Sequence, residues 1–198
     1  MGKLVVVNHV TLDGVMQAPA RRDEDTRGGF EHGGWAVANN DEVMAGTLGR
    51  RMAEGGRSGR GALLLGRRTY EDFYAVWPSR TGDPVSEVLN RTAKYVVSRT
   101  LREPLPWSNS FLINGDPREA VAELKQEVAG LTILGSGELI GTLMAAHLID
   151  EYLLLIHPLV LGTGRRLFPE GVRASLRLSD SIVTTTGVVI ATYEPVIN

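Results

Sequence analysis

The sequence has no cysteine among its 198 residues. This absence excludes disulfide bonds, thiolate catalysis and cysteine-ligated zinc sites, and it is typical of proteins from a reducing compartment. Long apolar runs are absent as well. The run from Leu4 to Val7 has four residues, which is too short for the core of a signal peptide, and no other stretch approaches the length of a membrane span. We therefore expect a cytoplasmic protein with no membrane partner.

A large excess of charge of one sign is also missing. The chain carries 21 basic and 23 acidic residues, for a formal net charge of −2, so we expect no general electrostatic attraction to nucleic acid. Any anion site must therefore be local. The length suits one domain that spans residues 1–198.

Glycine, in contrast, is abundant, with 23 copies. The glycines cluster between better-patterned segments, as they do in loops that approach a ligand. The clusters lie at residues 28–34, 55–61, 135–141 and 162–164. In the second cluster, we expect Arg57 and Arg60 to lie in a solvated loop.

Short apolar runs alternate with helical patterns along most of the chain, and this alternation predicts an α/β fold. We expect a three-layer α/β/α arrangement around a mostly parallel mixed sheet. The tail at 174–193 is rich in Thr, Val and Ile around Gly187, which predicts an antiparallel C-terminal hairpin. The other predicted strands are 4–7, 62–65, 94–97, 110–113, 131–134 and 151–156, and the predicted helices are 41–53, 69–76, 116–130 and 137–148.

Three of the predicted strands are followed directly by polar turns. Because ligands bind beyond the carboxyl ends of parallel strands, we expect the three turns to converge on one edge of the sheet. Glycines before a helix start would let a diphosphate approach, and arginines would bind a further phosphate. The alternative is ordinary turn glycines with solvated arginines. The turns are Gly66-Arg67-Arg68-Thr69, Ser98-Arg99-Thr100 and Gly135-Ser136-Gly137-Glu138.

The last turn does not match the dinucleotide fingerprint of a Rossmann fold. Its third glycine, Gly141, comes one position late, and no acidic residue follows at the spacing expected for a ribose partner. The arginines of the other turns favour a ligand with a 2′-phosphate, which predicts NADPH over NADH. No Walker lysine follows the glycines, so nucleotide hydrolysis is not expected.

With these motifs, the sequence resembles the dihydrofolate-reductase-like family. The resemblance is to the branch similar to the reductase (C-terminal) domain of the bifunctional riboflavin-biosynthesis deaminase/reductase, and it covers nearly the whole chain. It rests on Thr11-Leu12-Asp13-Gly14 with Met16 and Gln17, on Leu64–Tyr70, on Val97–Thr100, on Gly135–Leu139, and on Pro158–Gly164 with Leu167-Phe168.

The resemblance implies an NADPH-dependent reductase that forms a homodimer. The first two turns would hold the adenosine 2′-phosphate region, the third turn would hold the diphosphate, and the loop after the first strand would meet the nicotinamide. The deaminase half is absent, and so is the Pro-Trp motif of folate reductases, so strict dihydrofolate reduction is not expected. The implied cofactor-binding residues are Gly66, Arg67, Arg68, Thr69, Ser98, Arg99, Thr100, Gly135, Ser136, Gly137, Glu138 and Leu139.

Fewer sequence features indicate which residues contact the substrate or supply a proton. Asp13 is the preferred proton donor because strand ends point into a cleft, although an Asp-Gly turn explains it equally well. Asp41 and Glu42 are weaker candidates, since acids are common in the first turn of a helix. We expect the substrate to contact Met16, Gln17, Trp35, Trp77, Leu161 and Gly162.

Several of these expectations have a structural alternative. The segment 28–35 is either a mobile lid over the ligand or an ordered loop anchored by Trp35, and Trp77 either walls the substrate pocket or closes its helix against the core. His157 fits a structural role at a strand end, and His9 and His147 lack the spacing of metal ligands, so no metal is expected.

The sequence therefore predicts an NADPH-dependent reductase of a heterocyclic C=N substrate, such as a pterin or an aminopyrimidine. A ribosylated aminopyrimidine phosphate would need further basic residues, for which Arg165 and Arg166 are the candidates. The alternative is a nucleotide-binding protein of the same fold without catalytic activity.

Overall fold

The computed structural model describes residues 1–56 and 61–196, apart from the side chains of residues 52–56. The solvated loop expected around Arg57 and Arg60 lies outside the described residues. The strands are β1 (Lys3–Thr11), β2 (Gly61–Gly66), β3 (Ala93–Val97), β4 (Ser110–Ile113), β5 (Gly130–Leu134), β6 (Glu151–His157), β7 (Leu176–Val183) and β8 (Val189–Pro195). The helices are α1 (Glu42–Gly56), α2 (Arg67–Val76), α3 (Pro84–Arg91), α4 (Pro117–Glu127) and α5 (Gly137–Ala145).

The chain divides into two compact units. Unit 1 comprises Met1–Leu4 and Gly55–Leu148, and unit 2 comprises Val5–Glu54 and Ile149–Asn198. In unit 1, the strands are ordered β4-β3-β2-β5 and every pair is parallel. Their apolar side chains pack with α2 and α3 in a buried cluster of Leu63, Leu65, Tyr70, Leu89, Val96 and Trp107.

In unit 2, β1 pairs in parallel with β6, and β6 pairs antiparallel with β8, which pairs antiparallel with β7. Gly187, with a φ of 84°, lies in the turn of the β7–β8 hairpin. Helix α1 buries Met44 in a cluster with Leu153, Leu155, Val188 and Ile190. The predicted fold class, a mostly parallel mixed sheet with an antiparallel C-terminal hairpin and packed helices, is confirmed.

The helix boundaries differ from the sequence expectation by up to three residues, and one helix was not predicted. Helix α2 begins at Arg67 rather than Thr69, so two of the turn arginines are helical. Helix α5 ends at Ala145 rather than at residue 148, because His147 adopts a left-handed conformation with a φ of 55° that helices cannot continue. Helix α3 was not predicted, although the Asp83 side chain caps its start by accepting a hydrogen bond from the Val85 N–H.

Candidate functional site

The three polar turns of unit 1 follow neighbouring strands. β2 lies between β3 and β5, with Ala62 opposite Ala93 on one side and Leu131 on the other. Because all three strands are parallel, their carboxyl ends lie at the same edge of the sheet. The predicted convergence of the three turns is therefore confirmed.

Hydrogen bonds join the first and third turns. The Ser136 hydroxyl accepts a hydrogen bond from the Gly66 N–H at 2.9 Å and lies 3.0 Å from Thr69 Oγ1. The Ser136 N–H donates to the same Thr69 oxygen at 3.1 Å. Both hydroxyls, expected to bind phosphate, are thus engaged in holding the two turns together.

Gly135 allows this close contact. Its φ is 61°, a left-handed conformation that favours glycine, and a Cβ added there would lie 3.0 Å from Thr69 Oγ1. The next residue, Ser136, is also left-handed and forms the N-cap of α5. Helix α5 therefore starts directly after a tight backbone turn, and the first amides of a helix carry partial positive charge toward an anion.

The second turn is stabilised by its own serine. The Ser98 hydroxyl accepts hydrogen bonds from the Thr100 N–H at 3.1 Å and the Leu101 N–H at 3.0 Å. Such a local turn fixes the loop without any ligand. Ser98 is buried, so its hydroxyl, like those of the other two turns, serves the protein itself.

The arginines of these turns remain available. Arg67 lies 3.8 Å from Glu71 in a half-exposed pair, which contributes little to stability. Arg68 and Arg99 are exposed, and neither has an ion-pair or hydrogen-bond partner among the described residues. Of the three arginines, Arg99 lines an open hollow of about 770 Å³, together with Thr100, Leu101, Arg102, Glu103, Leu112 and Asn114.

Five of the predicted substrate-side residues lie in unit 2 on two segments that run side by side, 11–17 and 159–167. Backbone hydrogen bonds join Leu12 N–H to the Leu159 carbonyl, Met16 N–H to the Arg165 carbonyl and Leu167 N–H to the Gly14 carbonyl, each at 2.9 Å. The structure thereby brings together Asp13, Met16, Gln17, Leu161 and Gly162, which are far apart in the sequence.

The Asp13 carboxylate holds these two segments together. One oxygen accepts hydrogen bonds from the Thr11 hydroxyl at 2.5 Å and the Leu161 N–H at 3.2 Å. The other accepts from the Gly162 N–H at 2.8 Å. The Thr11 hydroxyl and these amides lower the pKa of Asp13 below its ordinary value of 3.8. Asp13 is therefore ionised at neutral pH, and a catalytic role stays a prediction.

Gln17 is buried and its amide is engaged on both sides. Its nitrogen donates to the Asp25 and Arg27 carbonyls, both at 3.0 Å. Its oxygen accepts from the Arg165 N–H at 2.9 Å. Gln17 thus connects the loop around residue 26 to the segment 159–167, and its contact with substrate stays a prediction.

The segment 28–35 is packed in an ordered manner, which favours the loop alternative over the mobile lid. Phe30 is buried with Val15 and Ala18, and Trp35 packs against this cluster. The Trp35 indole N–H donates to the Gln17 carbonyl at 2.7 Å. Trp35 therefore anchors the loop beside the predicted substrate residues.

Two other candidates have structural surroundings. Trp77 packs on the unit 1 core, with the Arg80 guanidinium 4.6 Å from its ring centre, so its role toward substrate stays a prediction. Asp41 caps α1 by accepting from the Met44 N–H at 2.8 Å and also accepts from the Thr185 hydroxyl at 2.6 Å. These hydrogen bonds lower the pKa of Asp41 to about 2.

The sequence reasoning missed a histidine pair in unit 2, in which His157 is buried and His9 is partly buried. His9 Nδ1 and His157 Nε2 are 2.8 Å apart, and the Trp35 ring stands perpendicular to the His157 ring at 5.2 Å. Burial lowers the pKa of both histidines to about 4, so both are neutral near pH 7. The parallel β1–β6 pairing places the two residues together, and the sequence pattern does not specify that register.

Within the described residues, no cluster of three or more His, Asp or Glu side chains is arranged to hold a metal ion. None of the described helices combines the length and apolarity that a membrane crossing requires.

Known proteins resemble this chain in both sequence and structure. The uncharacterised protein YyaP of Bacillus subtilis is 31% identical over 138 residues, which are 66% of this chain and 72% of YyaP. The structure of a Shewanella sp. PV-4 protein, provisionally assigned to riboflavin biosynthesis, has a TM-score of 0.70 at 22% identity and covers 98% of this chain and 99% of that one.

Two enzymes of known activity share the fold at lower identity. The diaminohydroxyphosphoribosylaminopyrimidine deaminase/5-amino-6-(5-phosphoribosylamino)uracil reductase of Thermotoga maritima has a TM-score of 0.64 at 12% identity, covering 98% of this chain and 57% of that enzyme. Dihydrofolate reductase from Enterococcus faecalis, in complex with NADP(H), has a TM-score of 0.58 at 13% identity, covering 98% and 96%. The predicted dihydrofolate-reductase-like fold is confirmed.

A family model also tests the resemblance directly. The model described as the RibD C-terminal domain matches residues 2–191, which is nearly the whole chain. The branch expected from the sequence motifs is therefore confirmed, and this chain belongs to the RibD C-terminal domain family.

Proposed function

We propose that this protein is an NADPH-dependent reductase that transfers a hydride to a heterocyclic C=N substrate of the pterin or aminopyrimidine type. The observation that carries the proposal is the edge of unit 1, where three turns converge and Arg68 and Arg99 are exposed without a partner among the described residues. Such arginines suit a phosphate, because a guanidinium binds it with paired hydrogen bonds.

The residues at this edge fit NADPH. The first amides of α5, beginning at Gly137, would receive the diphosphate, and Arg67, Arg68 and Arg99 would bind the 2′-phosphate. The hydroxyls of Thr69 and Ser136 would contribute by fixing the turns rather than by touching the ligand. When bound, NADPH would supply the hydride.

The substrate class is supported by the relatives. The Thermotoga maritima enzyme is named as a reductase of an aminouracil and the Enterococcus faecalis enzyme as a dihydrofolate reductase, so both act on nitrogen heterocycles. On this chain, we place the substrate contacts in unit 2, at Met16, Trp35, Leu161 and Gly162. Since Asp13 is ionised at neutral pH, delivery of the proton through water is favoured over direct donation by Asp13.

Cofactor titration tests the proposal. NADPH is expected to raise the melting temperature while NADH does not. In a variant with Arg68→Gln and Arg99→Gln, NADPH affinity is expected to fall at least tenfold, since a charged hydrogen bond is worth about 1.5–3 kcal/mol. Arg91→Gln is the matched control, because Arg91 is equally exposed but precedes β3 instead of following it.

Equal responses to both cofactors, or equal losses in Arg91→Gln, would contradict this assignment. Oxidation of NADPH in the presence of pterins and aminouracils then separates the reductase from the alternative, a nucleotide-binding protein without catalytic activity. Binding without turnover across the panel would favour that alternative.

We also propose that the chain forms a homodimer through β7. Six of the eight residues of this edge strand are exposed, including Leu178 at 51% and Val183 at 66%. Open strand edges readily pair with another copy, and closed two-fold dimers are the commonest assemblies. Light scattering after size-exclusion chromatography should give a mass in solution of twice the chain mass. The double variant Leu178→Lys, Val183→Lys should give the mass of a single chain. A monomeric parent protein would contradict the proposal.

The cytoplasmic location stays a prediction.

A further inference from the structure

His157 has a buried nitrogen that nothing in the described structure satisfies. Its side chain has no exposed surface, and its Nδ1 is one of two buried side-chain polar atoms without a hydrogen-bond partner among the described residues, the other being Ser110 Oγ. Leaving such a group unpaired costs about 1–3 kcal/mol, so native structures rarely keep one without a reason.

The other nitrogen of His157 is held in place. His157 Nε2 lies 2.8 Å from His9 Nδ1, and one of these two atoms donates to the other. This contact sets the orientation of the His157 ring, as an outer partner does for a working histidine. The unpaired Nδ1 is therefore directed by the fold and is not free to turn toward another partner.

The surroundings of His157 are the predicted substrate side of unit 2. The ring of Trp35 stands against it at 5.2 Å and an interplanar angle of 89°, and an aromatic face is at most a weak partner for a nitrogen. Trp35 is only partly buried. Directly after His157, the chain enters the segment 159–167, which carries Leu161 and Gly162 at the Asp13 carboxylate.

We propose that His157 is a substrate-binding residue whose Nδ1 hydrogen-bonds the ring edge of the heterocycle when the Trp35 side chain gives up its hydrogen bond to the Gln17 carbonyl and turns away, while the loop 28–35 stays ordered. This inference rests on the proposed function, because it assigns a further contact to the same substrate. In the absence of substrate, the Trp35 ring packs edgewise with the imidazole. Binding then replaces an unsatisfied nitrogen with a satisfied one, so part of the affinity comes from removing that cost.

The chemistry of the pair defines the ligand class. Burial keeps both imidazoles neutral near pH 7, and His157 further lowers the pKa of His9 by charge repulsion. A neutral imidazole nitrogen donates or accepts one hydrogen bond according to its tautomer. It therefore suits an uncharged ring N–H, ring nitrogen or carbonyl, whereas a phosphate or carboxylate would lose its hydration at this buried position without gaining an opposite charge. The heterocycle, rather than any phosphate on the substrate, is the group that fits here.

Two substitutions distinguish the role of His157 Nδ1 from that of Nε2. Asparagine places a polar atom near the position of Nδ1, and glutamine places one near Nε2. With 5,6-diaminouracil as the probe, measured by calorimetry without cofactor, His157→Gln should keep the contact with His9 but bind about tenfold more weakly. His157→Asn should bind within about threefold of the parent protein. The reverse order, or equal affinities, would overturn the proposal.

A second variant guards against a purely structural role. His9→Leu combined with His157→Leu removes both partners and the unsatisfied nitrogen together, so its urea midpoint should equal or exceed that of the parent protein. Its affinity for 5,6-diaminouracil should still fall about tenfold. A less stable double variant with unchanged affinity would mean that the pair only supports the fold and would overturn the inference.

The same titrations distinguish this inference from the proposed function. NADPH affinity should change little in the His157 variants, because the residues proposed to bind the phosphates of the cofactor lie in unit 1. If NADPH does not bind the parent protein, the proposed function fails while the His157 contact with 5,6-diaminouracil can still be measured. If 5,6-diaminouracil does not bind the parent protein, the assignment of His157 is overturned even where NADPH binds.

Discussion

The two units use their polar side chains differently at the predicted site. In unit 1, the hydroxyls of Thr69, Ser98 and Ser136 are engaged in internal hydrogen bonds, and cationic side chains are left exposed. In unit 2, the charged Asp13 and the amide of Gln17 are themselves engaged internally, and a neutral imidazole nitrogen is left unsatisfied.

This difference indicates two kinds of ligand surface. Exposed guanidinium groups with no partner attract an anion without any loss of internal pairing. A buried neutral nitrogen selects an uncharged polar group, because an anion there would lose its hydration. A cofactor rich in phosphate and a largely neutral heterocycle match these two surfaces, and the following predictions test whether the residues divide in this way.

The largest effect is expected at Gly164, within the segment that faces Asp13. Its φ is 106°, and an added Cβ would lie 2.7 Å from Phe30 Cε2 and 2.8 Å from Val15 Cγ1. Gly164→Ala combines backbone strain with overpacking and should lower the free energy of unfolding by about 2–5 kcal/mol. Urea denaturation measures the loss.

Gly162→Ala is the control. Gly162 also has a positive φ, but no other side chain or backbone segment lies within 4 Å of an added Cβ, so the variant should lose only about 1–2 kcal/mol. Equal losses would show that packing at Phe30 is unimportant.

Replacement of Gln17 should have the next largest effect. Gln17→Met keeps the length of the side chain but leaves the Asp25 and Arg27 carbonyls and the Arg165 N–H without this partner. We expect a loss of about 2 kcal/mol of unfolding free energy. If the variant instead keeps its stability and only binds substrate more weakly, then Gln17 is a ligand residue and the internal role described for it is wrong.

In unit 1, Thr69→Val tests whether the hydroxyls serve the protein or the cofactor. The substitution preserves shape but removes the acceptor for the Ser136 N–H, so the unfolding free energy should fall by about 1 kcal/mol. NADPH affinity should change little. Thr132→Val in β5 is the control and should be neutral. A variant with full stability but weak NADPH binding would place the Thr69 hydroxyl on the cofactor.

The sequence allowed much of the fold to be predicted, because the patterns involved are local. Apolar runs and helical periodicity located all eight strands and four of the five helices found among the described residues. Helix α3 was missed even though its Asp83-Pro84 start repeats the Asp116-Pro117 start that identified α4. Val85, Val88 and Leu89 do have the i, i+3, i+4 spacing of an amphipathic helix, but the helix has only eight residues, so its pattern is short.

The sequence was enough to predict which residues belong to the candidate site, but not which residues they hydrogen-bond. The convergence of the turns followed from strand order, whereas the engagement of Ser136 by Thr69 depends on contacts between residues 67 positions apart. The pairing of His9 with His157 depends on a parallel register across 148 positions. Composition and spacing carry no information about such long-range contacts, so the hydroxyls were assigned to a ligand and His157 to a structural role.

The smallest effect is expected at Asp13. The pH dependence of stability tests here whether the carboxylate serves the fold or the reaction. Hydrogen bonds lower its pKa in the folded protein below 3.8, so the folded state binds this proton less well than the unfolded chain does. The carboxylate therefore stabilises the fold fully above about pH 4, and this contribution is lost as the pH falls through the lowered pKa. Asp13→Asn should reduce the fall in unfolding free energy below about pH 4 and leave its pH dependence above about pH 5 unchanged.

The same variant tests the catalytic role of Asp13. Because an ionised carboxylate cannot donate a proton near pH 7, the variant should also retain most NADPH oxidation. A fall of a hundredfold in that rate, with the stability profile unaltered, would show instead that Asp13 acts in the chemical step and not as the link between residues 13 and 162.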